Sequence, residues 1–488
     1  MSLRNNTLHN LLGGIAPTVV ALVTIPLLLA KIGDVRFGVL ALVWLLLGHF
    51  GVFDFGLSRA TANRIARLPK DDVGGRRAVF WTSLWMNLFF GALGAVCLYA
   101  VAEPLMVHVF KVGAATRVEV LIALGWVAAA VPLATVTGVL GGALDGVERF
   151  DVANTLQALG AMIVQVAPVV AAYTVSSELD VLIPASVLGR LSGVLLLFVA
   201  NLRIVAPGPP LPADRQRVRE LFGFGAWISV SALIVPFFLT LDKFMIGATL
   251  GAAAVTYYSV PDQLVRRISV LPVALGRSMF SRISAVDSSN SVELSLRSSR
   301  VLTSALTPLV ALLITAMHPF LSLWITPEFA KVATGPGILL AAGIWLSSLA
   351  MIPSVYLQAS GRPDVPAKCH LLEILPHVAI LWLCVRYFGA IGAAAAMLAV
   401  TILDAVLLMV FARMRLWRMG YFWQAAAWIA ASGAIGSGDY SIAAWRYGAA
   451  VAVVAAAAVW AVRTAPELAG MAAAFLRRVP VSGRRDVR

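Results

Sequence analysis

Three arginines stand in long apolar runs where a charge is out of place. Arg190 lies near the middle of one run, and Arg266 and Arg267 are adjacent in the stretch PDQLVRRISVLP. An ionisable side chain within a hydrocarbon-spanning segment costs about 2.5 to 3.5 kcal/mol on insertion scales, so it faces a cavity or a partner. The guanidinium group stays charged and presents a planar fork of donors that matches phosphate oxygens. Three of them at depth therefore suit an anion, and a diphosphate better than a neutral or cationic ligand. The competing account is an internal ion pair that locks helices together, or an arginine that snorkels to an interface.

Four acids share this setting: Asp54, Asp242, Glu373 and Asp404. Asp54 stands near Arg59 and Asp242 next to Lys243, positions where capping or interfacial pairing accounts for them. Glu373 and Asp404 have no such neighbour and could relay protons or pair with the arginines, so Asp54, Glu373 and Asp404 are the candidates for ion coupling or for lining a cavity. His49, His370 and His377 lie in or beside apolar segments without ligand spacing and read as packing residues. The cysteines, Cys97, Cys369 and Cys384, are odd in number and lack a CxxC pair. No metal ligand set, disulfide framework or cofactor is expected from these spacings.

The elements that must position these groups follow from composition. Of 488 residues, 60% are hydrophobic and 13% charged, with a net charge of +14. A soluble domain is about 45 to 50% apolar and about 25% charged, so the surplus must face lipid. Most basic residues sit in short gaps between apolar runs, which reads as membrane topology and not as nucleic-acid binding. With about 20 apolar residues needed per crossing, candidate spans fall at 8–30, 37–58, 78–101, 118–142, 153–173, 181–201, 221–241, 253–276, 301–324, 336–359, 369–386, 390–411, 421–437 and 445–462. The predicted fold class is all-α, a polytopic membrane protein with about fourteen transmembrane helices. The first apolar run continues to Ala30 without a small-residue cleavage site and reads as a membrane helix and not a cleaved signal.

With the N-terminus inside, 27 Lys and Arg residues fall in cytoplasmic segments and 8 in outer ones. That bias orients the protein with both termini cytoplasmic. No extramembrane stretch is long enough for a soluble catalytic domain. The segment 202–220 carries PGPPLP and reads as a cytoplasmic linker. Ala30-Lys31-Ile32-Gly33 followed by Phe37 resembles Ala248-Thr249-Leu250-Gly251 followed by Val255, a six-helix offset that points to an internal repeat. The expected organisation is a six-helix bundle over 1–201, the linker 202–220, a second bundle over 221–412, two further transmembrane helices over 413–463, and a basic cytoplasmic tail over 464–488. In that tail, Pro466 to Arg478 could form an amphipathic surface helix. Pro17, Pro26, Pro236, Pro261, Pro272, Pro353 and Pro376 fall inside spans and bend them.

Several motifs recur in order along the chain. The first two spans carry Ile25-Pro26-Leu27-Leu28, Ile32-Gly33, Phe37-Gly38-Val39-Leu40, Trp44 and Asp54-Phe55-Gly56-Leu57. Gly146 with Arg149-Phe150 and Asn154 follows. Asp242-Lys243-Phe244 then leads through Gly251, Tyr257-Tyr258, Pro261 and Leu264 to Pro272. A last stretch runs from Gln358 through Gly361-Arg362-Pro363, Ala367-Lys368, His370, Glu373, Gly389 and Gly392-Ala393 to Asp404. In this order the motifs resemble the Wzx-like polysaccharide flippases of the multidrug/oligosaccharidyl-lipid/polysaccharide superfamily, and two positions depart from that family's pattern: Ser281 stands where a proline is usual, and Val400 where an arginine would precede Asp404 by one turn.

The resemblance implies two pseudo-symmetric six-helix bundles plus two C-terminal helices, in a bacterial inner membrane, around a cavity that opens alternately to each side. It implies a polyprenyl-pyrophosphate-linked glycan as substrate, moved from the cytoplasmic to the periplasmic face for cell-surface polysaccharide synthesis. Membrane lipid, a glycan polymerase and other polysaccharide-assembly proteins would be its partners, and nucleic acid would not. Arg190, Arg266 and Arg267 would then hold the pyrophosphate, and no bond would be broken. A cation-coupled drug or lipid exporter of the same superfamily would want acids without arginines in its cavity. A membrane glycan polymerase or ligase would want a sizeable outer loop.

Overall fold

The computed structural model describes residues 3–49, 54, 56–69, 71–108, 114–219, 240–269, 272–273, 288–360, 362, 364–414, 418–438 and 445–468. Among them every regular element is helical, as the composition predicts. The helices are α1 Leu3–His49, α2 Leu57–Ala66, α3 Val73–His108, α4 Ala114–Gly146, α5 Phe150–Thr174, α6 Leu179–Ile204, α7 Ala252–Arg266, α8 Ser288–Trp324, α9 Pro327–Ala359, α10 Asp364–Phe411, α11 Gly420–Gly436 and α12 Trp445–Thr464. The seventh candidate span lies outside the described residues except for its last two positions, and the expected amphipathic tail lies outside them beyond residue 468.

Two of these helices each contain two expected spans. α1 breaks at Gly33, with φ +76° and ψ 170°, and α10 breaks at Gly389, with φ +62° and ψ −141°. Only glycine enters such backbone freely, so each break marks where the chain reverses between spans. Gly251, the repeat counterpart of Gly33, also takes a positive φ of 91° and separates the helical stretch 240–250 from α7. The sequence repeat therefore has a matching backbone device at both places.

Nine helices among the described residues are long and apolar enough to cross a membrane. Large apolar side chains along them point away from the protein: Leu323 is 89% exposed and Leu375 81%. In water that exposure would drive association. In a bilayer it is the ordinary lipid-facing surface, so the protein is a multi-pass membrane protein.

The chain forms two compact units, Met1–Thr256 and Tyr257–Arg488. In the first, α3 packs on α4, α4 on α6, α5 on α6 and α1 on α5, while the short α2 lies along α4. Phe80 and Leu84 of α3, Leu140 and Leu144 of α4 and Leu197 of α6 form a hydrophobic core, which Val205 and Ala206 extend past the end of α6. The proline-rich segment that follows is fastened to α3 as well. Trp85 Nε1 donates to the Leu211 carbonyl at 2.9 Å, and the Asp214 amide donates to Thr82 Oγ1 at 3.3 Å.

α2 approaches α4 closely because Gly138, Gly142 and Gly146 clear one stripe of α4. A Cβ at Gly142 would strike the Ser58 carbonyl oxygen, and one at Gly146 would lie 2.9 Å from the Ala62 oxygen. Gly142→Val is expected to destabilise the protein by roughly 1 to 3 kcal/mol through overpacking. Gly125→Ala on the same helix, where a Cβ meets open space, should leave the thermal midpoint in detergent unchanged.

The helix starts of this unit are tied across the fold. Arg36 of α1 donates through Nε to Glu119 Oε2 at 3.0 Å, and the same carboxylate oxygen accepts the Leu179 amide at 2.9 Å at the start of α6. One acid thus joins α1, α4 and α6 at their shared end. Glu119→Ala should lower stability by roughly 1 to 3 kcal/mol because it strands two donors at once. Glu119→Gln, which keeps an acceptor, should lose about half of that in the same unfolding measurement.

In the second unit, α8 packs on α9, α11 and α12, and α9 packs on α10. Thr326 caps α9 by accepting the Phe329 amide at 3.2 Å, with Pro327 at the first helical position where its missing N–H costs nothing. Ser291, Ser295, Ser299, Thr303 and Thr307 recur every fourth residue on the buried face of α8. Thr303 and Thr307 each donate to the carbonyl one turn back at 2.7 Å, and Trp345 Nε1 of α9 donates to Thr307 Oγ1 at 3.1 Å. Glu467, past α12, accepts from Arg297 Nη2 at 3.1 Å and Arg300 Nη2 at 3.2 Å. Its carboxyl is held below the usual carboxylate range, first by its own backbone N–H and then by those arginines.

Candidate functional site

Arg190 sits on α6 in the first unit. Ser186, one turn before it, accepts from Trp44 Nε1 of α1 at 3.2 Å, which sets the face that α6 turns toward α1. Beside Arg190, Gly189 lets the α5 backbone come close: a Cβ there would lie 3.2 Å from the Ile163 carbonyl oxygen. The Arg190 Nε is buried, and among the described residues it meets no hydrogen-bond acceptor and no carboxylate. Of the three arginines, Arg266 alone forms an ion pair with an acid among the described residues.

Arg266 and Arg267 are arranged differently from two free guanidiniums. α7 ends at Arg266 and passes into a tight turn over Arg267–Ser269, inside the span expected to run to residue 276. Arg266 Nε donates to both oxygens of Asp262, at 2.8 and 2.9 Å, and Asp262 is only 3% exposed. This i,i+4 pair was visible in PDQLVRRISVLP, yet attention to the arginines passed over it. Arg266 thus carries an acid of its own at the C-terminal end of a helix, where a cation is favoured. Arg267, one residue on, is exposed.

The acids divide between the units. Asp54, in the first, is buried and accepts the Ser58 amide at 3.1 and 3.2 Å, which ties off the start of α2. That is the capping role weighed for it from sequence. Asp242 is fully buried and accepts the Lys243 amide at 2.8 Å. Glu373 and Asp404 are brought together in the second unit by the break at Gly389, which returns the second arm of α10 along the first. His370 stands with them. Its Nδ1 lies 3.7 Å from Glu373 Oε2 and 3.6 Å from Asp404 Oδ1. Glu373 is 4% exposed, whereas the His370 side chain is 37% exposed. Reading His370 as a packing residue missed this cluster. Its i,i+3 spacing to Glu373 was a signal, but the approach of Asp404 was not.

One buried and one half-buried carboxylate beside an imidazole, held across a break between two membrane-spanning arms, can bind or release a cation as the arms move. An arginine in another span, its Nε without an acceptor among the described residues, can hold an anion. Such charges within membrane-spanning helices are those that a polytopic carrier of charged solutes would use.

The family model for polysaccharide biosynthesis proteins matches residues 3–286. The chain belongs to that family. A Shigella flexneri protein named as an O-antigen transporter is 27% identical over 411 residues, which span 84% of this chain and 97% of that one. The membrane protein EpsK of Bacillus subtilis is 31% identical over 159 residues, about a third of each chain. Among solved structures, the lipid II flippase MurJ in an inward closed conformation aligns with a TM-score of 0.72 at 13% identity, over 93% of this chain and 99% of that one. An inward-facing multidrug resistance transporter of the MATE family, from the same superfamily, aligns at 0.65 with 19% identity, over 86% and 96%. The fold is that of the multidrug/oligosaccharidyl-lipid/polysaccharide superfamily.

Proposed function

We propose that the protein is a flippase that carries a polyprenyl-pyrophosphate-linked oligosaccharide from the cytoplasmic to the periplasmic face of a bacterial inner membrane, for assembly of a cell-surface polysaccharide. The observation that carries the reading is Arg190, a part-buried arginine in an apolar helix whose buried Nε meets no acceptor among the described residues. A diphosphate is the part of such a substrate that hydrocarbon rejects most strongly, and a preset guanidinium fork offsets its desolvation. Family membership and the O-antigen transporter relative support the same substrate class.

In this reading Arg190, Arg266 and Arg267 contact the diphosphate at successive stages. The prenyl chain stays in lipid throughout, and the bound headgroup is exposed to one face and then the other. Asp262 keeps Arg266 from holding the anion too tightly, since a carrier must also release it. Glu373 and Asp404 couple the cycle to a cation, and Asp54 serves the start of α2. The chain breaks no bond, both termini lie in the cytoplasm, and the product passes to a glycan polymerase and its companions. The six-helix segments 1–201 and 221–412 act as repeats, with 202–220 joining them and 413–463 added.

The test in cells is the side on which the lipid-linked glycan accumulates. Depletion of the protein should leave the labelled glycan hidden from a lectin added to spheroplasts, and re-expression should expose it. Equal exposure in depleted cells would rule the reading out.

A further inference from the structure

We infer that His370, Glu373 and Asp404 form a binding site for a divalent cation of the zinc type, one that clamps the two arms of α10 together. Each residue offers one donor atom, and the three atoms lie within 4.8 Å of one another. Two of the separations, 3.7 Å from Nδ1 to Glu373 Oε2 and 3.6 Å from Nδ1 to Asp404 Oδ1, can be compared with what a metal requires. Donors about 2.0 to 2.1 Å from a tetrahedral Zn²⁺ lie roughly 3.3 Å apart. The set therefore needs to contract by only a few tenths of an ångström along these two edges, within reach of side-chain torsions.

A second observation points to a ligand. Glu373 Oε1 is buried and meets no hydrogen-bond donor among the described residues, in a side chain only 5% exposed. A buried carboxylate oxygen left in that state is costly. The nearby cation Lys368 is committed to Asp364, 2.7 Å away at the exposed end of the helix. Protonating His370 would offset only one of the two negative charges. A divalent ion on a neutral imidazole and two carboxylates balances both.

The donor types choose the class. One imidazole nitrogen with two carboxylate oxygens suits Zn²⁺, Co²⁺ or Mn²⁺, whereas Mg²⁺ prefers an oxygen octahedron with several waters. Three protein donors leave at least one position for water. The partly exposed His370 ring provides access from outside. Because His370 and Glu373 lie before Gly389 and Asp404 after it, an occupied site would join the arms across the residue where the backbone leaves helical geometry. The ion would thus act as a brake on any motion of α10. The inference concerns binding alone, so it stands or falls independently of the proposed substrate.

The full-length protein, free of any polyhistidine tag and held in lipid nanodiscs, would be titrated with Co²⁺ and then with Zn²⁺. One equivalent of Co²⁺ should bind with visible absorption bands that Zn²⁺ abolishes and excess Mg²⁺ or Na⁺ does not. His370→Ala, Glu373→Gln and Asp404→Asn should each weaken binding by more than about tenfold, since even loss of an outer-shell partner costs that much. His318→Gln, on α8, should bind as the unmodified protein does. X-ray absorption of the wild-type zinc complex should show nitrogen and oxygen donors with a single imidazole. That spectrum decides the matter even if a variant fails to fold. No saturable binding at millimolar Co²⁺, displacement by Mg²⁺ or Na⁺, binding that survives all three substitutions, or sulfur or several imidazoles in the spectrum would each overturn the inference.

Discussion

Arg190→Ala is expected to reduce transport of the lipid-linked glycan thirtyfold or more while leaving the protein inserted and at least as stable as before. The two halves of this expectation have opposite physical origins. Stability should hold or rise because the substitution removes a buried charge that no described acid balances, and such a charge costs the folded state a few kcal/mol. Transport should fall because truncating one member of a desolvated charge-assisted pair costs roughly 2 to 5 kcal/mol, which is on the order of thirty- to several-thousand-fold. Arg190→Lys keeps the charge but not the two-pronged geometry, so its activity should lie between the two. Thermal unfolding in detergent and glycan export measured side by side decide this. A loss of stability that parallels the loss of export would make Arg190 a structural residue.

The second large effect concerns the carboxylates. The double substitution Glu373→Gln with Asp404→Asn should abolish the response of transport to an imposed pH or sodium gradient, a loss of at least about tenfold, while slow ungated exchange persists. The two acids are the buried carboxylates that the α10 break brings together, and their conservative replacements keep shape while removing both charges. Asp54→Asn is the contrast. It weakens the tie to the Ser58 amide at about 1 kcal/mol and should leave the gradient response intact. Gradient-driven uptake in proteoliposomes separates the outcomes. A double variant that still responds to the gradient would move ion coupling elsewhere.

Much of the architecture could be read from residue order. Hydropathy placed most spans to within a turn or so, because a lipid-facing helix must be apolar along its whole length and no soluble alternative tolerates that composition. The repeat between Gly33 and Gly251 was a faint pattern in sequence, yet both glycines take positive φ where one span meets the next.

Contacts set by the third dimension were not legible. Asp404 reaches His370 because Gly389 folds one arm of α10 back on the other, and no helical period links residues 34 apart. Arg36 finds Glu119 across 83 residues, so a charge that looked like topology in an outer loop is also a structural tie. The proline-rich segment offered no periodicity at all, and its attachment to α3 rests on the Trp85 indole and the Thr82 hydroxyl, which sequence cannot aim. Asp262 was within reach of a simple i,i+4 reading. It shows that an arginine in an apolar run must be weighed with every acid one turn away before it is assigned to substrate.

Movement of a diphosphate-linked glycan lipid across hydrocarbon by a guanidinium-bearing carrier can be followed directly. Its most direct measurement uses liposomes that contain the purified protein and a fluorescent polyprenyl-pyrophosphate oligosaccharide placed in one leaflet, with a membrane-impermeant quencher added outside. The account predicts rapid loss of protected label with the wild-type protein, slow loss with Arg190→Ala or with empty liposomes, and no acceleration for the same prenol lacking its diphosphate. Equal rates with and without protein, or equal acceleration of the diphosphate-free lipid, would contradict it.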